Sequence, residues 1–196
     1  GLVYSRIGEV YSEQMNFNGA LEYYRNAYDA WEKLRKPAFM NNATLNIANA
    51  YSSLGYNDNA VKYYSQALQA AAQQEDNDMV IACLSNLGDI YVNEGDYPKA
   101  LQAVKEIERT APDGLSIYQY RVLAKVYYLQ HKIDSARYYF NIASELAEDI
   151  RDDAQLAYLS IQIELASGNS EEAANSINEY IWLSDSISRM VVSQSA

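Results

Sequence analysis

Cysteine and histidine are each present only once in this chain of 196 residues, at Cys83 and His131. A single cysteine excludes an internal disulfide and any metal site built from several cysteines. The sequence contains no P-loop, no Rossmann glycine pattern and no histidine-rich metal motif, so the common nucleotide and metal chemistries are not indicated. No run of about 18 apolar residues occurs, so we expect no direct membrane insertion. These absences predict a protein that is not an enzyme and has no cofactor.

Positive charge is also scarce, because 15 Lys and Arg residues stand against 26 Asp and Glu residues, for a net charge of -11. Such a surface repels phosphate backbones, so we expect no nucleic-acid partner. The chain has 3 prolines and 8 glycines and no Gly/Ser-rich or Pro-rich linker, which favours a single domain over residues 1–196. It starts at Gly1 and ends without a helix stop signal, so we interpret it as a piece of a longer protein.

The sequence does contain an internal repeat, which is visible as five columns of matched residues. A small residue is followed by tyrosine three positions later, then by alanine, a bulky residue and a final alanine or isoleucine. In chain order the columns are Gly8, Ala48, Gly88 and Ala124; Tyr11, Tyr51, Tyr91 and Tyr127; Ala20, Ala60, Ala100 and Ala136; Tyr24, Tyr64, Val104 and Phe140; Ala27, Ala67, Ile107 and Ala143. Successive copies are offset by 40, 40 and 36 residues. A period of this size predicts stacked supersecondary units.

The spacing within each copy predicts two helices. A small residue with tyrosine at i+3 marks one face of a first helix, and alanine with partners at i+4 and i+7 marks one face of a second. Gly55 and Gly95 suit a left-handed helix end. Asp96 followed by Pro98 predicts an N-cap with proline in the first turn. Each copy is therefore a predicted helical hairpin.

These columns resemble the signature of the tetratricopeptide repeat family. Two family features are reduced here: the signature tryptophan of the first helix is replaced, for example by Thr44 and Leu84, and the signature proline appears only as Pro112. The period of 40 exceeds the usual length of about 34. In this it is similar to the long-helix variants of kinesin light chains and bacterial peptide-responsive regulators. The stretches TLNIANAY and CLSNLGDIY resemble the asparagine-bearing first helices of that subgroup.

The resemblance implies an all-α fold, a right-handed α-α superhelix of about five hairpins with a short C-terminal helix. The expected repeats are 1–36, 37–75, 76–112, 113–150 and a degenerate copy at 151–186, with 187–196 as a cap or connector. The expected helices are 2–15, 18–34, 38–54, 58–74, 77–94, 97–110, 114–130, 134–149, 153–166 and 171–185. In the fifth copy Glu164 stands where the other copies have tyrosine.

The resemblance also implies a binding groove on the concave surface lined by the first helices. Projecting the helix period away from the core columns gives the groove-facing residues. They are Arg6, Glu9, Asn46, Asn49, Ser53, Asn86, Asp89, Asn93, Arg121, Lys125 and Tyr128. Members of the resembled subgroup bind peptide backbone through asparagines like Asn46 and Asn86, since an amide both donates and accepts. The alternative is that these asparagines only hydrogen-bond neighbouring repeats and solvate the first-helix face.

Two cations in the fourth copy form a second hypothesis. Arg121 and Lys125 lie one turn apart, and together with Asn86 and Asp89 they could receive a carboxylate. The alternative is a pair of solvated surface cations.

Some family members clamp the C-terminal carboxylate of chaperones with Lys, Asn and Arg side chains. Here the matching positions are Ser5 and Glu9 in the first copy and Ala82 and Asn86 later, so no chaperone partner is expected.

Adjacent tyrosines occur as Tyr23–Tyr24, Tyr63–Tyr64 and Tyr138–Tyr139 on second helices. A stacking platform for bases or sugars is one reading, and core packing is the favoured one. In the first two pairs one tyrosine is expected in the core and its neighbour towards the adjacent repeat or the convex side.

Acidic clusters at 75–78 and 148–153 lack the spacing of a calcium loop and are interpreted as helix caps. A nucleophile–base pair would need His131 near Cys83, which belongs to another repeat. Cys83 lies beside a core column, so inert packing is expected.

These features favour a protein- or peptide-binding scaffold that uses its concave groove, with a partner of unknown identity. Two alternatives stay open: a sensory or adaptor region of a larger signalling regulator, and a structural module that forms homo-oligomers through its ends. The chain also resembles the repeat regions of envelope-associated sensor regulators and lipoproteins of Bacteroidetes. That resemblance favours the cell envelope or periplasm over the cytoplasm.

Overall fold

The computed structural model describes residues 1–111 and 114–194, with side chains as far as residue 190. Within these residues the protein is all-α, with ten helices and no strand. The helices are α1 (Leu2–Glu13), α2 (Phe17–Lys33), α3 (Pro37–Ser53), α4 (Asn57–Gln73), α5 (Asn77–Glu94), α6 (Tyr97–Thr110), α7 (Ile117–Leu129), α8 (Ile133–Glu145), α9 (Ile150–Ser167) and α10 (Ser170–Gln194). The bounds of α5 and α6 are those predicted, and most others differ by one to four residues.

The chain divides into two compact units. Unit 1 comprises Gly1–Glu94 and Lys105–Pro112, and unit 2 comprises Gly95–Val104 and Asp113–Ala196. In unit 1, α1 packs on α2, α3 lies between α2 and α4, and α4 packs on α5. In unit 2, α7 packs on α8, α8 on α9, and α9 on α10. The single-domain organisation over residues 1–196 stays a prediction.

Neighbouring helices approach each other closely at the columns occupied by glycine and alanine. All four alanines at the start of the second helices are fully buried: Ala20, Ala60, Ala100 and Ala136. At Gly8 an added Cβ would lie 2.6 Å from the ring of Tyr24, so a larger residue there would require the ring to shift. The bulky columns fill the remaining space, with Tyr24 5% and Tyr64 1% exposed. The core of unit 1 is therefore a layer of alanine and tyrosine between the paired helices.

Tyrosines also stack between the two helices of a hairpin. The rings of Tyr51 and Tyr63 stack at 5.4 Å between centroids, and Tyr11–Tyr23 and Tyr127–Tyr139 stack at 5.2 and 5.4 Å. In each pair the second tyrosine follows the first by twelve residues. Tyr23, which was expected to face an adjacent repeat or the convex side, packs on its own hairpin. Tyr63 also packs on its own hairpin, but it lines a space shared with α2 of the adjacent repeat, as expected. In the third pair Tyr138 is 62% exposed and meets Tyr139 edge-on.

Helix ends follow the predicted turn chemistry. Gly55 and Gly95 have φ of 75° and 78°. The Asp96 carboxylate accepts from the Lys99 N–H at 3.2 Å, as an N-cap should. In the acidic clusters, Asp76 accepts from the Met79 N–H at 3.1 Å and Asp149 from the N–H groups at 151 and 152. Both clusters therefore act as caps, as predicted.

The degenerate fifth copy replaces the tyrosine stack with an ion pair. Glu164 is 6% exposed and receives two hydrogen bonds from the Arg137 guanidinium, which also donates to the Ser167 hydroxyl at 2.9 Å. Asn169 donates to the same carboxylate at 2.9 Å. The hydrogen bonds from Arg137 lower the pKa of Glu164 below its ordinary value. A fully satisfied carboxylate thus occupies a position that is aromatic elsewhere.

The C-terminal prediction was wrong in one respect. We expected a helix ending at 185 and a separate short helix, but α10 runs without a break to Gln194. No helix-breaking residue occurs near 186, and Ser186 and Ser188 donate back to the carbonyls of Trp182 and Ser184 at 2.8 and 2.9 Å. These bonds are compatible with a continuous helix. Pro112 and the side chain of Val191 lie outside the described residues.

None of the described helices is long and apolar enough to cross a bilayer.

Candidate functional site

The first-helix face of unit 1 carries eight of the predicted groove residues, on α1, α3 and α5. Each of them is at least partly exposed: Arg6, Glu9, Asn46, Asn49, Ser53, Asn86, Asp89 and Asn93. On α3 the intervening residues Ile47, Ala48 and Tyr51 are buried. The helix period therefore separates a polar outer face from the core, as the columns predicted.

A hydrogen bond from a core residue fixes the orientation of the Asn49 side chain. The Tyr64 hydroxyl, on a side chain that is only 1% exposed, donates to the Asn49 side-chain oxygen at 2.7 Å. Burial raises the pKa of Tyr64 well above the ordinary tyrosine value, so the hydroxyl stays protonated and remains a donor. The amide N–H donors of Asn49 can then serve a carbonyl on the outer face.

Asn86 is held by its own helix. Its side-chain nitrogen donates to the Ala82 carbonyl one turn earlier, at 2.8 Å. That bond leaves the side-chain oxygen of Asn86 able to accept from a ligand N–H. Both asparagines therefore make hydrogen bonds within the protein, and their contact with a ligand stays a prediction.

At α1 the predicted groove residues pair with each other. The guanidinium of Arg6 donates to the Glu9 carboxylate at 2.8 Å, three residues along the helix. Both side chains are substantially exposed, so the pair contributes little to stability.

In unit 2 the predicted residues lie on α7. Arg121 reaches Asp152 on α9 at 3.6 Å and its guanidinium lies 5.6 Å from the centroid of the Tyr118 ring. Its side chain is only 19% exposed. Tyr128 is half-buried and packs on the core cluster of unit 2 that includes Leu159. Arg121 therefore has an internal carboxylate partner that sequence reasoning missed, because Asp152 lies in the next copy.

The chain is similar to known proteins in part of its sequence and in its fold. The sequence pattern of the tetratricopeptide repeat matches residues 39–113. Over 94% of its length the chain superimposes on BtubC (BKLC) from P. vanneervenii, covering 80% of that chain with a TM-score of 0.75 and 22% identity. NprR, solved in complex with its cognate peptide NprX, gives a TM-score of 0.75 at 19% identity, with 97% of this chain and 57% of that chain covered.

Residues 39–113 of the chain thus match the tetratricopeptide repeat, and the fold of the longer chain is similar to that of the two solved structures. The predicted all-α repeat fold is thereby confirmed. The human protein O-mannosyl-transferase TMTC1 is 39% identical over 70 residues, which is 36% of this chain and 7% of that protein. This repeat protein therefore spans about 7% of the length of the curated relative it matches.

The single cysteine of the repeat protein lies inside its core. Cys83 on α5 is fully buried, and desolvation raises the pKa of its thiol to about 12. His131 is exposed in the turn before α8, with φ of 59°. In the parts of the chain that the structure describes, no group of three or more His, Cys, Asp and Glu side chains could hold a metal ion.

A cleft on the other side of α3 was missed by sequence reasoning. It lies between α2 and α4, and its floor includes the polar residues Asn41 and Thr44. The sequence did carry a signal for it. With the repeat offset of 40, the positions of Asn41 and Thr44 correspond to Ile81 and Leu84, so two polar residues stand in columns that are apolar in the next copy.

Proposed function

We propose that the chain is a peptide-binding scaffold whose site is the first-helix face of unit 1, formed by α1, α3 and α5. The observation that carries this proposal is the Tyr64–Asn49 hydrogen bond, because it orients an exposed amide from the core. An amide whose rotamer is fixed before binding loses less conformational entropy when a ligand arrives.

The chemistry of this face suits a peptide backbone. Asn49 presents donors and Asn86 presents an acceptor, and these are complementary to the C=O and N–H of a main chain. Asn46, three residues before Asn49 on α3, is half-buried and adds a third amide. Because these contacts are made with the peptide backbone, specificity would come from peptide side chains that lie near Asp89 and the Arg6–Glu9 pair.

The likeness to NprR supports the proposal at the level of fold. That protein was solved with its cognate peptide, and this chain shares its fold over 97% of its own length. The transferase activity named for TMTC1 belongs to a protein of which this chain spans about 7%, and we propose no catalytic step for the chain.

A peptide selected from a display library and labelled with a nitroxide would test the location of the site. In NMR spectra of the protein, the label should broaden the side-chain amide signals of Asn46, Asn49 and Asn86. The exposed amides of Asn18 on α2 and Asn59 on α4 serve as internal controls, because they lie on second helices. Broadening confined to Asn18 and Asn59 would place the peptide elsewhere and contradict the proposal.

Unit 2 carries a feature that favours a second function, self-association. Along α10, Ile181 and Trp182 are 55% and 65% exposed, and Tyr158 on α9 packs against Tyr180 with 53% of its own surface open. Exposed apolar groups of this size on adjacent helices are typical of an interaction surface. Sedimentation of the wild type and of Trp182→Ser should show a dimer that is lost in the variant. A monomer in both would remove this function.

The role as a sensory or adaptor region of a larger regulator, and the location in the cell envelope, stay predictions.

A further inference from the structure

We propose that the cleft between α2 and α4 is a second binding site, which takes an extended peptide segment of about four or five residues carrying an acidic side chain. This goes beyond the first-helix site proposed above, since the two sites lie on opposite sides of α3.

The cleft is a trough with a floor and two walls. Two adjoining cavities of about 360 and 410 Å³ share Tyr28, Thr44 and Gln66 as lining residues, so they form one elongated space. The floor is α3, from Pro37 to Ile47, and the walls come from α2 and α4. At about 1.5 Å per residue the floor is roughly 15 Å long, which matches four or five residues of extended chain at about 3.3 Å each.

The trough and the first-helix face do not overlap. At about 100° per residue, the centre of the floor residues Pro37, Met40, Asn41, Thr44 and Ile47 lies roughly 180° around α3 from the centre of Asn46, Asn49 and Ser53. A ligand in the trough therefore leaves the first-helix face uncovered.

The floor is polar where the core of a helical hairpin should be apolar. In the described part of unit 1, the buried polar side chains are Asn41 and Thr44, with 4% and 7% of their surfaces exposed. The Thr44 hydroxyl donates to the Met40 carbonyl at 2.9 Å, but the Asn41 side-chain oxygen has no hydrogen-bond partner. Leaving a buried acceptor unpaired costs free energy, and a ligand N–H would remove that cost.

The next repeat shows that the fold does not require these polar groups. The corresponding positions on α5 are Ile81 and Leu84, which pack as ordinary apolar residues. An isoleucine at position 41 would avoid the unpaired acceptor, so the asparagine indicates a ligand rather than a packing need.

Residues of the two walls provide further polar and charged groups that can contact a peptide. Gln66 and Gln73 on α4, and Gln74 directly after it, line the trough and can both donate to and accept from a peptide backbone. At the other end, where Asp29 also lines the space, Arg25 lies 5.8 Å from the centroid of the Tyr51 ring and donates to the Tyr51 hydroxyl. A guanidinium held in this way can pair with a carboxylate of the ligand.

Titration with acetylated and amidated pentapeptides, each carrying one glutamate, would test the site. In NMR spectra the side-chain amide signals of Asn41 and Gln66 should shift and saturate, at concentrations up to about 5 mM, which exceeds the ~1 mM dissociation constant of a weak site. The same peptides with lysine in place of glutamate should bind roughly tenfold more weakly, a difference of about 1.4 kcal/mol. The absence of saturable shifts with every peptide would overturn the proposal.

Variants separate this site from a structural role and from the first-helix site. Asn41→Ile should keep or raise the melting temperature and abolish the shift at Gln66. If Asn41→Ile fails to fold, Gln66→Ala on the exposed face of α4 serves instead and should weaken peptide binding roughly tenfold. Gln69→Ala is the control, because Gln69 does not line the cleft, and it should bind the peptides like the wild type. The double variant Asn46→Ala/Asn86→Ala should bind these pentapeptides like the wild type. Unchanged binding by both Asn41→Ile and Gln66→Ala, or shifts produced by malto-oligosaccharides and not by peptides, would refute the peptide site.

Discussion

The hydroxyl of Tyr64 on α4 donates a hydrogen bond of 2.7 Å to the side-chain oxygen of Asn49 on α3. This contact joins the repeat core to the proposed binding face. Tyr64 belongs to the bulky column that fills the hairpin, and Asn49 belongs to the polar face of the first helix. One residue therefore serves stability through its ring and presentation of the amide through its hydroxyl.

Replacing this tyrosine with phenylalanine should separate the two roles. Tyr64→Phe keeps the ring but leaves the Asn49 oxygen without its buried donor, so the free energy of unfolding should fall by about 1 kcal/mol. Urea denaturation followed by circular dichroism measures this. Tyr56→Phe is the matched control, because Tyr56 is 58% exposed. Equal urea midpoints for Tyr64→Phe and Tyr56→Phe would show that the Tyr64–Asn49 hydrogen bond contributes nothing to stability.

The repeat columns predicted most of the fold because each column corresponds to a packing requirement. Ala20 and its counterparts are fully buried, since any larger side chain would separate the helices. Gly8 faces Tyr24 so closely that an added Cβ would require the ring to shift. The helix bounds followed, because the turns between columns also carry recognisable caps such as Asp96.

Features that depend on side-chain pairing could not be predicted in the same way. The stack of Tyr51 on Tyr63 requires knowledge of how the two helices of a hairpin are rotated. The pairing of Arg121 with Asp152 depends on the packing of α7 near α9, two helices later. The trough over Asn41 was detectable only as a polar residue in an apolar column, a signal that gains its meaning once α2 and α4 are in place.

The Arg137–Glu164 pair should stabilise unit 2 in a pH-dependent manner. The pKa of Glu164 is lowered from its ordinary value of 4.5, first by the hydrogen bonds from Arg137, so its contribution is present above that value. It is lost as the pH falls through the lowered pKa of the folded state. Glu164→Gln should therefore reduce the free energy of unfolding by about 2 kcal/mol at pH 7.

Thermal melts of the wild type and Glu164→Gln between pH 7 and strongly acidic pH test this sign. The difference between the two melting temperatures should shrink once the pH is below 4.5. A constant difference across the whole range would argue that the loss at Glu164→Gln comes from packing alone.

A turn residue offers a stabilising change. Glu75 follows α4 with φ of 56°, a left-handed conformation that is unfavourable for a residue with a Cβ. Glu75→Gly should raise the free energy of unfolding by about 0.5–1 kcal/mol, since glycine adopts this conformation without strain. As a control, Glu22→Gly in the exposed middle of α2 should lower it by about 1 kcal/mol. If the free energy of unfolding changes in the same direction for Glu75→Gly and Glu22→Gly, the left-handed conformation of Glu75 is not the cause.

Cys83 should be chemically inert in the folded protein. Its thiol is fully buried and its pKa is raised to about 12 by desolvation, so almost no thiolate is present near neutral pH. A disulfide reagent such as dithionitrobenzoate should label it far more slowly in buffer than in denaturant. Rapid labelling of the native protein would show that α5 opens or that the thiol is accessible.

The central claim is that asparagines on the first-helix face of unit 1 bind a peptide. The most direct test is the dissociation constant of one selected peptide, measured by calorimetry for Asn46→Ala/Asn86→Ala and for the control Asn18→Ala/Asn59→Ala. Loss of two hydrogen bonds of about 1 kcal/mol each predicts roughly 30-fold weaker binding for the first variant and wild-type binding for the control. Equal dissociation constants for the two variants would contradict the account.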